Sequence, residues 1–291
     1  MLQATLSGLV TGSLVALIAI GFNLTFIVNR TVNFAHGQWV ALGSLLAFTC
    51  LVQWQFPLLL TFIGSATVLG IMGIALERIG VRPLLGHSLS LGFIMSTLAI
   101  GIMLENLALL YWGTTALYVP SPLGEARVSV LGAGIYPQEL LILGVTALVL
   151  LALAALYKRT QLGLSLRATA EDAEVAALMG VNTKRTIAFA YGMAGLMAGM
   201  AGVLVAPVTG ALATAGSHLG LKAFAIAIVG GLDSMSGTLV AGLLLGVAEQ
   251  YIALYISPGL KDVLVFALVI AVLMLRPFGL LGTLDDEHTK V

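Results

Sequence analysis

Eight stretches of this chain are each long and apolar enough to cross a lipid bilayer, and that repetition constrains the fold more than any other feature. They lie near 5–28, 34–53, 57–76, 90–111, 137–157, 186–206, 237–256 and 259–275. A helix needs about 20 apolar residues to traverse the ~30 Å hydrocarbon core. Only 9% of the 291 residues are charged, against roughly a quarter in a soluble domain. Lipid is therefore the solvent for most of this chain. The expected fold is an all-α polytopic transmembrane bundle with about 8–9 spans, a single unit over 1–291.

A shorter apolar stretch, 217–231, carries Lys222 and ends in Gly230 and Gly231. At ~1.5 Å per residue it falls a little short of the core. It reads as a short crossing or a half-helix. With nine crossings and an outer N-terminus, the cytoplasmic gaps hold Arg30, Arg78, Arg82, Lys158, Arg159, Arg167, Lys184, Arg185, Arg276 and Lys290. The outer side holds Arg127, Lys222 and Lys261. That asymmetry follows the positive-inside rule. A re-entrant 217–231 would put Arg276 and Lys290 outside, so nine crossings are expected, with 276–291 as a cytoplasmic tail. Residues 112–136, with Pro120 and Pro122, form an outer loop with a short strand near Ala126–Val130.

Equal numbers of acidic and basic residues, 13 of each, argue against nucleic acid as a partner. No Lys or Arg precedes Arg30, so a basic signal-peptide n-region is missing and the first stretch reads as a retained span. The lone Cys50 lies in an apolar run and reads as a small buried residue. Glycines 192, 195, 199 and 202 put a smooth stripe on one helix face, where neighbouring backbones can approach closely.

The one long charged gap, 158–185, is expected to be a cytoplasmic loop. Thr169 and Asp172 fit a capping box opening a short helix. Glu171 and Asp172 suit the positive end of its dipole. Gly180 supplies a left-handed C-terminal cap. Val175, Ala176, Leu178 and Met179 share an apolar side. Some ten residues of helix are marginal alone in water, so the segment needs something to pack on it. That is either the protein's own bundle and membrane surface or a groove on a soluble partner.

Polar residues inside spans each need a reason, because a charge at the bilayer centre costs roughly 2.5–3.5 kcal/mol on insertion scales. Glu105 lies in the fourth span, Glu249 in the seventh, and Lys222 in the short stretch. Lys222 is expected to pair with Glu105 or Glu249, in a structural role or along a pathway. Asn33 reads as the N-cap of the second span, with His36 just inside it as a structural or pathway residue. No four-residue metal set is visible. No nucleophile or metalloprotease motif is present, and there is no P-loop to hold ATP phosphates. The chain is not expected to be an enzyme.

Four motifs in order resemble one family. They are Asn33–Gly37 (NFAHG), Gly163–Gly180 (GLSLRATAEDAEVAALMG), Lys222–Ser234 (KAFAIAIVGGLDS) and Arg276–Gly282 (RPFGLLG). Together they are similar to the branched-chain amino-acid ABC transporter permeases of the LivH type. The resemblance implies a type II-like ABC importer permease in the bacterial inner membrane. It implies a second, LivM-like permease subunit, two ATPase subunits that use the ATP, and a periplasmic substrate-binding protein. It makes 158–185 the coupling segment, with Arg167, Thr169, Glu171, Asp172, Val175, Ala176, Met179 and Gly180 meeting the ATPase. No cofactor is implied for this chain itself. Substrates implied are branched-chain amino acids or related small solutes, with urea, short amides and aromatic acids as the family's other cargoes. A self-sufficient secondary transporter is the competing reading outside the family.

Overall fold

The computed structural model describes residues 1–84, 91–124, 126, 128–130 and 133–282. The helices are α1 Leu2–Asn29, α2 His36–Phe48, α3 Leu58–Leu76, α4 Leu91–Trp112, α5 Pro137–Arg159, α6 Gln161–Glu171, α7 Ala173–Leu178, α8 Thr183–Thr209, α9 Ala215–Gly230, α10 Met235–Tyr255 and α11 Lys261–Leu275. Short π-helical turns extend α2 over Thr49–Gln53 and α3 over Glu77–Val81. A small hairpin, β1 Val128–Val130 and β2 Ala133–Ile135, lies in the loop after α4. Arg127 and Lys290, counted in the charge asymmetry above, fall outside the described residues, as does the tail beyond Gly282.

Among the described residues, seven helices are long and apolar enough to cross a membrane. The other two expected crossings, α2 and α9, are shorter than a full span. The reason for α2 is its depth. Its first residue, His36, bonds the Ile18 carbonyl at 3.1 Å and packs on Gly21 of α1. Ile18 lies eleven residues before the end of α1, about 17 Å down the helix at 1.5 Å per residue. After α1 ends at Arg30 in a left-handed turn (φ 52°), the chain dips inward before α2 starts. Non-helical backbone at that depth is tolerated only when protein surrounds it, and Asn33, Ala35 and His36 are all fully buried.

The core is built around α1 and α8, which pack on each other and on α10 and α3. Glycine sets the spacing. A methyl group on Gly8 would sit 2.7 Å from Val247 Cα, and one on Gly242 2.6 Å from Ala16 Cβ. On α8, Gly192, Gly195 and Gly199 face α3, and Gly202 faces Gly43 of α2. Among apolar helices in lipid, close backbone approach supplies dispersion contacts that the hydrophobic effect cannot.

Two ends of the bundle can be told apart. At one, the Arg82 guanidinium reaches the Lys184 carbonyl at 3.1 Å, and Lys158 lines a cavity with Asp233 and Ser234. At the other, Thr5 meets Tyr251 and the backbones of Leu117 and Ala211 bridge. Helix α9 leads from Ala211 at the second end towards the first, where the Asn23 amide holds the Gly231 carbonyl at 3.3 Å. Helix α10 then starts at the first end, beside Ser234, and reaches the second at Tyr251, the direction that nine passes would require. The described start of the expected tail, 276–282, packs back on α9. Leu280 N–H donates to Val229 O (2.7 Å) and Leu281 N–H to Gly230 O (3.3 Å), satisfying carbonyls that end α9.

Candidate functional site

Two regions gather the polar residues singled out by sequence, and a third sits at the basic end. The first is a cavity of about 180 Å3 lined by Phe34, Gly37, Gln38, Ile102, Glu105 and Ser217, among others. Here the Gln38 amide donates to Glu105 Oε2 at 2.6 Å and to Ser217 Oγ at 2.8 Å. The Ser217 hydroxyl donates to the same carboxylate oxygen at 3.1 Å. Elements α2, α4 and α9 thus meet on one acid. They do so because Gly37 and Gly220 let α2 and α9 touch, backbone to backbone. The sequence reading picked out Glu105 but missed Gln38 and Ser217. The available signal was a glutamine two residues after His36 within an apolar run.

The second region is an ion network. Lys222 Nζ bonds Glu249 Oε2 in a buried pair. Lys261 approaches Glu249 Oε1 at 3.4 Å, and Asp262 lies 3.8 Å from Lys222 and 3.6 Å from His218. Of the two partners expected for Lys222, the structure selects Glu249. Glu105 is spoken for by an amide and a hydroxyl instead.

Asn33 and His36 lie beside the cavity but not in its wall. The Asn33 side-chain Oδ1 accepts from Ala35 N–H at 3.1 Å, so it caps the turn before α2 and not the helix itself, whose N-cap is Ala35. Asn33 is too far from the first helical turn because the chain is still descending there. His36 turns into α1, between Phe22 (ring centroids 4.7 Å apart) and Trp39 (5.6 Å).

The third region is the charged gap, which folds as two short helices. Helix α6 opens at Thr160, whose hydroxyl accepts from Gly163 N–H at 3.0 Å. It runs through Thr169, which is buried and caps nothing. The break comes at Asp172, extended at φ −153° and ψ 111°. Its carboxylate accepts from Glu174 N–H (2.8 Å) and Val175 N–H (2.9 Å), so Asp172 is the N-cap of α7. An ionised acceptor holding two amides outcompetes a threonine hydroxyl holding one. The C-terminal end is as the sequence reads it. Gly180 adopts φ 89°, its N–H bonds Ala177 O, and Val181 N–H bonds Ala176 O, both at 3.0 Å. Those paired bonds are a Schellman ending.

The apolar side of α7 is divided. Ala176 is buried, whereas Val175, Leu178 and Met179 are exposed, the last two by more than 80%. Helical spacing puts residues three and four apart on one face and turns Ala176 away from it. Arg167 stacks over the Tyr157 ring at 5.8 Å. A groove between α6 and α7 is lined by Leu164, Arg167, Ala168, Glu171 and Met179, with others. Among the described residues, no group of three or more His, Cys, Asp or Glu gathers to hold a metal.

Comparisons with known proteins agree with this architecture. The chain is 34% identical over 299 residues to the high-affinity branched-chain amino acid transport system permease protein LivH of Escherichia coli K12, covering 98% of this chain and 97% of that protein. It is 35% identical to BraD of Pseudomonas aeruginosa, a permease protein of the same description, with the same coverage. A probable LivH of Methanocaldococcus jannaschii is 28% identical over 94% of this chain and 90% of its own length. The solved structure of PsaBC from Streptococcus pneumoniae in complex with Fab superposes with a TM-score of 0.52 at 15% identity, over 93% of this chain and 91% of that one. That last likeness speaks to the fold alone. Residues 4–273 match the family described as branched-chain amino acid transport system / permease component, and the chain belongs to that family.

Proposed function

We propose that this multi-pass inner-membrane chain is one permease subunit of an ABC importer. It would carry branched-chain amino acids or related small solutes handed over by a periplasmic binding protein. Its partners on this reading are a LivM-like second permease subunit and two ATPase subunits. ATP is bound and hydrolysed on those subunits, since this chain has no P-loop.

The observation that carries the reading is α7. A helix of six residues, Ala173–Leu178, is far too short to hold itself in water. It is nevertheless capped at both ends and presents Val175, Leu178 and Met179 outwards at the basic end of the bundle. A small apolar knob ringed by Arg167, Glu171 and Asp172 suits insertion into a cleft of a soluble partner. The ATPase is that partner. Thr169, Ala176 and Gly180 then act by shaping the knob, and Arg167, Glu171, Asp172, Val175, Leu178 and Met179 act by contact.

The test is co-expression with the companion chains, purification, and uptake in liposomes. Uptake of leucine that needs the loaded binding protein and ATP is the expected outcome. Ion-gradient-driven uptake by this chain alone would overturn it.

A further inference from the structure

We infer that Glu105 is a recognition site for the ammonium group of the transported solute, with Gln38 and Ser217 holding its carboxylate in place. The inference rests on the amino-acid permease reading above and adds the chemistry of its pathway.

Glu249 is buried and Glu105 is half-buried midway along α4, and the two acids have different surroundings. Glu249 faces two lysines. Glu105 has no cationic partner among the described residues, and its two bonds both go to Oε2. Among the described residues no donor reaches Oε1. An acid in the bilayer interior is costly to keep without a counter-charge unless something cationic visits it. Glu105 also lines a cavity, so a visitor has room.

The rest of the cavity wall is apolar. The Phe34 and Phe22 rings each lie 5.7 Å from Phe224, tilted against it, and Leu98, Ile102 and Leu221 complete the surface. One end therefore suits a cation and the remainder an aliphatic chain, which are two of the three parts of a branched amino acid. Its volume fits a solute of that size and not a drug-sized ligand, whose pockets start at about 300 Å3. The cavity opens beside Ile102 and Leu221, each more than half exposed. On the proposed assembly that is where a second permease subunit would close it.

The test uses the assembled importer in liposomes, with loaded binding protein at saturation. Glu105→Gln keeps the size and the acceptor but removes the charge. Leucine uptake should fall about tenfold or more, the effect of one lost charge-assisted hydrogen bond. Co-purification and ATP hydrolysis stimulated by the loaded binding protein should stay near wild type, and Glu105→Asp should recover part of the uptake. Wild-type uptake in the glutamine variant would overturn the inference, and so would a joint loss of uptake and assembly, which would make Glu105 structural. Failure of the unmodified importer to take up leucine would instead strike the permease reading itself.

A second readout follows charge selectivity directly. With Cys50→Ala and Ile102→Cys, thiol labelling at the cavity should be slowed by leucine and by 3-methylbutylamine. It should be unaffected by 4-methylpentanoate or by sodium chloride at the same concentration. Adding Glu105→Gln should abolish the protection. Equal protection by the carboxylate or by sodium, or protection that survives the glutamine, would overturn the assignment.

Discussion

The glycine-paved centre of the bundle and the small α6–α7 knob obey opposite rules. In the centre, α1 and α8 are largely buried, and glycines bring α1 against α10 and α8 against α3 and α2, backbone to backbone. At those glycines an added side chain would meet the neighbouring backbone. At the knob, Leu178 and Met179 face outwards and contribute little to the bundle that carries them. Changes in the first region should act on whether the protein assembles. Changes in the second should act on what the assembled protein does.

The largest effect is expected at the buried ion pair. Lys222→Met leaves Glu249 with Lys261 alone, at 3.4 Å on one oxygen. Removing one partner of a buried pair costs about 3–5 kcal/mol. Detergent-extracted protein should aggregate or melt well below wild type, and adding Glu249→Leu should restore much of the loss. A Lys222→Met protein with an unchanged melting temperature would mean that the pair is not a stabilising element.

Next comes Gly199→Leu, where any side chain meets the Ser65 carbonyl across the α8–α3 contact. Overpacking of this kind costs about 1–3 kcal/mol, read as a loss of monodisperse protein. Gly180→Val should cost about 1–2 kcal/mol locally, because φ is 89° and a β-branched residue resists that region. The damage should stay in α7. Uptake falls while the thermal unfolding of the bundle barely moves.

The smallest stability effect belongs to Leu178→Ser with Met179→Ser. Exposed positions usually stay within about ±0.5 kcal/mol, so melting should be unchanged. ATPase subunits should nevertheless fail to co-purify. If this pair destabilised the bundle as much as Gly199→Leu, the division between the two regions would fall.

The sequence showed the first region better than the second. Long apolar runs mark spans whatever their neighbours, and the Gly192–Gly202 stripe could be read as a contact face from spacing alone. The start of α7 was misplaced because Thr169 and Asp172 both satisfy local capping rules. The choice between them depends on α6, which extends from Thr160 and buries Thr169. The depth of α2 was hidden for a related reason. Arg30 suggests a bilayer surface, and only packing against Gly21 reveals how far the chain descends afterwards. Gln38 and Ser217 stand 179 positions apart, and no local pattern announces that they share an acid. The choice of Glu249 over Glu105 by Lys222 was likewise a decision of tertiary structure.

The contact of α1 with α10 has a mechanical consequence. Screwing one past the other by a single residue, about 1.5 Å along and about 100° around, would press Leu245 or Val247 where Gly246 now lies against Gly12. These two helices have no gear in which to slip. Whatever rocking carries a solute across must move them as a single rigid spar, with the give confined to the lipid-facing helices around it.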